Sequence, residues 1–123
     1  MTDCVFCRIV NGLAPATVVG SSMTSLIIEP LGPQVPGHVL VIPRNHVTDA
    51  TSSLSTTSAT MHDAAAYAAG IGPCNIITSV GSEATQSVFH LHIHVLPRGE
   101  RDGLRKSWPW VRRDLQAKEA DHA

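Results

Sequence analysis

Residues 87–98 read SVFHLHIHVLPR. Histidines stand at 90, 92 and 94, with apolar residues between them. Side chains alternate across a strand, so the pattern predicts a strand over 87–96 with two unlike faces. Phe89, Leu91, Ile93 and Val95 share one face and are expected to pack against a core helix. His90, His92 and His94 share the other. Same-face neighbours lie roughly 6.5–7 Å apart, which puts the outer two Cα atoms about 13 Å apart. That separation argues against three histidines gripping one metal ion and suits three imidazoles with three different tasks. A neutral imidazole, with a pKa of ~6.5, is both a nucleophile and a proton carrier near pH 7. The competing reading is the solvated face of a half-buried strand. It explains one such histidine, but three of the chain's seven within five residues favour a catalytic row.

Outward from this strand, CNIITSV (74–80) reads as its partner, joined to it by GSEATQ. HVLVIPR (38–44) is apolar at nearly every position, which suits a central strand covered on both faces. ATVVGS and TSLIIEP read as two further strands, bounded by Pro15 and Pro30. LGPQVPG (31–37) is turn-rich. VFCRIVNG (5–12) predicts a short helix ending at Gly12. TSSLSTTSAT (51–60) is rich in hydroxyls that favour loops and helix caps. ATMHDAAAYAAG (59–70) then predicts an alanine-rich helix closed by Gly70. Strands without regular helical crossovers favour an antiparallel α+β arrangement. Seven of the nine Lys and Arg residues lie between Arg98 and Lys118, so residues 105–123 read as a charged tail with a helix opening near Pro109.

A chain of 123 residues with 43% hydrophobic content predicts one domain with a modest core. A formal net charge of -1 offers no general affinity for nucleic acid or acidic membranes. MTDCVFCRIVNG has neither the basic nor the apolar region of a signal peptide. No apolar run approaches the ~20 residues of a membrane span. Three cysteines, Cys4, Cys7 and Cys74, make no disulfide framework. These features predict a cytoplasmic protein. Cys4 and Cys7 have the spacing of a zinc half-site, with a redox pair as the alternative, and Cys74 reads as a small buried apolar residue.

HLHIHVL (90–96), together with QSV before it and PGHVLVIPRNH (36–46) upstream, resembles the histidine-triad (HIT) superfamily of nucleotide hydrolases and transferases. The resemblance runs from about Cys4 to Leu104 and is closest to the bacterial Hint-like branch, with PRGERDGL following the triad and SWPW in the tail. It implies a HIT domain over 1–104 with a five-stranded antiparallel sheet and two main helices per protomer, paired as a homodimer through an edge strand and the 59–70 helix. It implies that His92 attacks the α-phosphorus of a purine nucleotide or nucleotidyl conjugate and forms a covalent nucleotidyl-histidine. His94 matches the histidine that protonates the leaving group, and His38 the upstream histidine that joins the site. Gln86 and Ser87 match positions that hydrogen-bond the phosphate. The CxxC of similar bacterial proteins binds structural zinc with two histidines, which here are His46 and His90. Such a closed site leaves no coordination position for catalysis, and no catalytic cofactor is implied.

Two positions depart from the family pattern. The ribose-binding Asp falls at Pro30, with Glu29 beside it as the available carboxylate, and a common Asn falls at Ser79. The leading expectation is therefore a hydrolase of nucleoside 5′-phosphoramidates. The alternatives are a Fhit-like dinucleoside polyphosphate hydrolase or phosphorylase, a nucleotide-binding regulatory module, and a metal carrier or metal-dependent hydrolase using HxHxH. The last predicts carboxylates near the histidines, and Glu83 is the one within ten residues upstream.

Overall fold

A computed structural model describes residues 4–104. The charged tail of 105–123 and its expected helix lie outside the described residues. The elements run α1 (Val5–Val10), β1 (Val18–Ser21), β2 (Ser25–Ile28), β3 (Val39–Pro43), α2 (Leu54–Ala69), β4 (Cys74–Ile77) and β5 (Ile93–Pro97). A 3-10 turn, Ser82–Ala84, precedes the histidines. The five strands form one sheet in the order β1-β2-β3-β5-β4, with every neighbouring pair antiparallel. Both the α+β class and the five-strand, two-helix architecture match the expectation.

β3 is buried along its whole length because it is covered on both faces. Val39 and Val41 point to α2, joined by Leu91, Ile93 and Val95. Leu40 and Ile42 point the other way and pack with Phe6 of α1, Leu26 and Ile28. The register pairs Leu40 with His94 and Val41 with Ile93. The apolar residues between the histidines therefore form the α2 core, while the triad lies on the α1 side.

Two elements differ from their sequence reading. α2 begins at Leu54, inside the hydroxyl-rich run, instead of near 59. Its hydroxyls are satisfied without breaking the helix. Ser53 Oγ caps the Thr56 N–H at 3.3 Å, Thr57 Oγ1 donates to the Ala50 carbonyl at 2.8 Å, and Thr60 Oγ1 donates back to the Thr56 carbonyl at 2.8 Å. Thr60, Ala64 and Ala68, four residues apart, make the buried face.

The second difference is at the histidines. β5 begins at Ile93, not near 87. The register that pairs Val41 with Ile93 would set Leu91 opposite Pro43, which has no N–H to extend the ladder. Residues before Ile93 leave the sheet, and the Leu91 N–H bonds to the Val47 carbonyl at 2.7 Å instead. Phe89, expected in the core, is 49% exposed for this reason.

Candidate active site and metal centre

His90, His92 and His94 are all buried, and each ring has its own partners. His92 Nδ1 lies 2.8 Å from the His90 carbonyl. A carbonyl only accepts, so Nδ1 carries the proton and the lone pair of a neutral His92 lies on Nε2. The His92 carbonyl accepts from Thr78 Oγ1 at 2.8 Å, which holds this backbone beside β4. His38 Nδ1 accepts the Gln34 backbone N–H at 3.0 Å, so a neutral His38 is protonated at Nε2 and donates to His94 Nδ1 at 2.9 Å. That bond places the proton of a neutral His94 on Nε2. The His92 and His94 rings are 5.3 Å apart. Burial pushes His38 down to about 4. His94 is held well below its usual range, first by burial and then by His92 and His38. Both rings are therefore neutral at pH 7.

This has a consequence for stability. Unfolded His38 takes up a proton near its ordinary pKa of 6.5, and folded His38 does so only at about 4. Stability is complete above the unfolded value and falls as pH drops through that window, because the unfolded chain binds more protons there. His94 acts in the same direction. In urea titrations between pH 6.5 and 4, His38→Gln should lower the slope of unfolding free energy against pH by up to ~1.4 kcal/mol per unit. An unchanged slope would refute the assignment of a neutral, buried His38.

Beside the triad lies a cavity of about 640 Å³, walled by Val5, Phe6, Ile9, Ile28, Leu40 and Val88. Phe6 stands edge-on to His92 with ring centroids 5.2 Å apart, so the cavity adjoins the triad. Glu29 and Pro30 both line it; Glu29 is exposed and Pro30 buried, which puts a carboxylate at the cavity despite the Pro. Ser79 lies half-buried just after β4.

The loop carrying Gln86 and Ser87 is strained. Thr85 has φ 74°, unfavourable for a β-branched residue. Gln86 holds this turn: its Oε1 accepts the Gly81 N–H at 2.8 Å, and its Nε2 donates to the Thr48 and Val88 carbonyls at 2.8 and 3.1 Å. Its amide thus serves the backbone. Ser87 Oγ is buried and has no hydrogen-bond partner among the described residues.

A second cluster sits at His90. Cys4, Cys7, His46 and His90 place one ligand atom each within 4.8 Å of all the others. Cys4 Sγ is 3.4 Å and Cys7 Sγ 3.5 Å from His90 Nδ1, Cys7 Sγ is 3.2 Å from His46 Nδ1, and the two Nδ1 atoms are 3.1 Å apart. A tetrahedral zinc ion with bonds of ~2.3 Å to sulfur and ~2.0–2.1 Å to nitrogen has S···N edges of roughly 3.5 Å and N···N edges of roughly 3.3 Å. The observed edges fit. His90 Nε2 donates to the Pro43 carbonyl at 2.9 Å, which fixes the ring with Nδ1 toward the sulfurs, as the outer N–H of a metal-ligating histidine does when it bonds a carbonyl. Burial, reinforced by Cys4, pushes the Cys7 thiol up. A dication favours the thiolate and reverses that balance. The convergence of two imidazoles on both sulfurs favours zinc over a redox pair.

The chain matches the HIT domain family model over residues 11–101. It belongs to the HIT family. Among its HIT relatives, an adenylylsulfatase from Arabidopsis thaliana is 34% identical over 121 residues, covering 93% of this chain and 61% of the plant protein; the chain thus spans about three fifths of that relative's length. An adenosine 5′-monophosphoramidase from Schizosaccharomyces pombe is 32% identical, covering 87% of this chain and 84% of the yeast protein. The structure of a zinc-bound histidine triad family protein from Mycobacterium smegmatis superposes with a TM-score of 0.75 at 32% identity, covering 98% of this chain and 92% of that one.

All four expected metal residues of this HIT protein converge, and so do His38, His92 and His94. The sequence reading missed Phe6, Thr78, the Gln34 N–H and the Pro43 carbonyl. Only Phe6 carried a signal, standing between the two cysteines; the others act through backbone geometry or a single hydroxyl.

Proposed function

We propose that this chain hydrolyses nucleotidyl conjugates of the nucleoside 5′-phosphoramidate type at the α-phosphorus, through a covalent intermediate on His92. The observation that carries the reading is the tautomer of His92. Its Nδ1–H is bound to the His90 carbonyl at 2.8 Å, so its nucleophilic lone pair is on Nε2, and Phe6, edge-on to its ring, walls an apolar cavity suited to a base. The names of the plant and yeast relatives support a nucleotidyl substrate.

In the first step His92 Nε2 forms a bond to phosphorus and the phosphorus–nitrogen bond to the amine breaks. The substituted ring becomes cationic, and its Nδ1–H bond to the His90 carbonyl stabilises that charge. His94 Nε2–H hydrogen-bonds the departing amine, which takes a proton from solvent as it leaves. Water then attacks phosphorus and releases its proton to solvent. The His92–phosphorus bond breaks, releasing the nucleoside monophosphate and restoring the neutral His92 ring. His38 positions His94 and fixes its tautomer. Ser87, with its unpartnered buried hydroxyl, contacts the phosphate. Gln86 holds the loop that presents Ser87, and Glu29 reaches the sugar from the cavity rim. Ser79 borders the site through its neighbour Thr78. Cys4, Cys7, His46 and His90 hold a structural zinc ion.

The chain acts as a homodimer in which β4, an edge strand with Ile76 37% exposed, pairs with its copy beside α2. A monomer by light scattering at high micromolar concentration would remove this. Among the described residues, no helix is long and apolar enough to cross a membrane.

A substrate panel tests the activity. An adenosine 5′-phosphoramidate should turn over faster than adenylyl sulfate or a dinucleoside polyphosphate; a reversed order transfers the assignment to the faster substrate's class. In a leaving-group series, His94→Ala should slow phosphoramidates with poor leaving groups by ~10²-fold or more and good ones far less. Equal losses across the series would count against His94 as hydrogen-bond donor to the leaving group.

A further inference from the structure

Two kinds of contact hold α1 to the rest of the protein. One is apolar: Phe6 is 4% exposed and packs with Leu26, Ile28, Leu40 and Ile42. The other is polar. Among the described residues, every hydrogen-bonded contact between residues 4–13 and the remainder of the chain runs through the two cysteine sulfurs. Cys4 reaches His90, and Cys7 reaches His46 and His90.

The helix has little stability of its own. It is six residues long, far below the length at which an isolated helix persists. Its N-cap acceptor is the Cys4 sulfur, 3.4 Å from the Cys7 N–H, and sulfur is a weak acceptor. Its first turn carries no acidic residue. The position of α1 therefore depends on what the four-residue cluster does.

The same short helix walls the cavity through Val5, Phe6 and Ile9. Phe6 lies between the two cysteines, and its ring stands edge-on to both His90, at 5.7 Å and 88°, and His92, at 5.2 Å and 73°. One aromatic ring thus touches a metal-cluster residue, the triad's middle histidine and the cavity.

We propose that the Cys4–Cys7–His46–His90 cluster, when it holds a zinc-type cation, clamps α1 as a wall of the nucleoside cavity, so that cation occupancy sets nucleotide affinity through Phe6. This rests on the nucleotide reading given above. Without the cation, the two sulfurs keep only weak neutral hydrogen bonds to the imidazoles, and α1 loses its polar anchor. His92 and His94 depend on it less, since the His90 ring keeps its bond to the Pro43 carbonyl when the cation leaves. His92 is held through the His90 carbonyl and, by way of its own carbonyl, Thr78; His94 is held by His38. Cation loss therefore weakens ligand binding more than it alters the chemical step.

Calorimetric titration of AMP into the full chain, zinc-loaded and then chelator-stripped, tests the clamp. AMP affinity should fall by about tenfold or more on stripping and return when zinc is added back. Ribose 5-phosphate, which has no base to contact α1, should change by less than about twofold. Phe6→Leu should weaken AMP binding while zinc stays stoichiometric. Hydrogen exchange supplies the second readout: amides of α1 should lose protection on stripping while those of β3 and β5 keep it. Equal AMP affinity in the two forms overturns the clamp alone, as does unchanged protection of α1. Loss of β3 and β5 protection together with α1 also overturns it, because the cluster then supports the whole fold. A zinc-loaded chain that binds no AMP overturns the nucleotide reading and the clamp together.

Discussion

His92→Gly should abolish turnover of a nucleoside phosphoramidate while the product nucleotide still binds. The decisive bond of His92 forms only during reaction, so its removal deletes a pathway instead of weakening a ground-state contact. The loss should exceed the ~10²–10⁴-fold typical of removing an acid or base alone. The rest of the site has independent supports: Gln34 and His38 order His94, and the cavity wall packs through Leu40 and Ile28. Comparing single-turnover rates with the dissociation constant of AMP separates chemistry from binding. Near-normal turnover in the variant would remove His92 as nucleophile and favour a nucleotide-binding module. Trapping with a slowly hydrolysed conjugate gives a second check: wild type should gain the mass of one nucleotidyl group, and the variant none.

The second large effect concerns the Cys4–Cys7–His46–His90 cluster. Protein purified without chelator should carry one zinc ion per chain by elemental analysis. No ligand set of this kind exists in the unfolded chain, so the binding free energy adds to folding stability. Cys4→Ser/Cys7→Ser should lower the melting temperature by ~10 °C or more. Zinc affinity should fall in acid, since both thiols must deprotonate and both imidazoles must stay neutral. At saturating substrate the variant should keep measurable turnover, because His38 holds His94, Thr78 holds the His92 backbone, and the Pro43 carbonyl still holds the His90 ring, none of these three being a cluster residue. Absence of stoichiometric zinc would refute the site. Complete loss of chemistry in a stripped chain that stays folded would make the metal catalytic instead of structural.

Local pattern carried much of this structure. The alternation through HLHIHVL assigned Leu91, Ile93 and Val95 to one face and the histidines to the other, because strand side chains alternate whatever surrounds them. The apolar run at Val39–Pro43 identified the doubly covered central strand for the same kind of reason. Pattern failed where specific hydrogen bonds, near or distant in the chain, overrode propensity. The hydroxyl-rich start of α2 is helical because Thr57 and Thr60 find carbonyls 2.8 Å away. Phe89 leaves the core because the ladder stops at Pro43, a partner 46 residues distant in sequence that the alternation of one strand does not encode.

By itself, then, the sequence determined the strand and helix inventory, the two-faced histidine strand and the chemical types available to the site. Tertiary structure decided what those types do. The Pro43 carbonyl turns His90 Nδ1 toward two sulfurs more than 80 positions away in the chain. The His90 carbonyl leaves His92 its lone pair on Nε2, and the Gln34 N–H sets the tautomers of His38 and His94. An imidazole's role follows from which nitrogen holds the proton, and that is set by hydrogen-bond partners that only the folded chain brings within 3 Å.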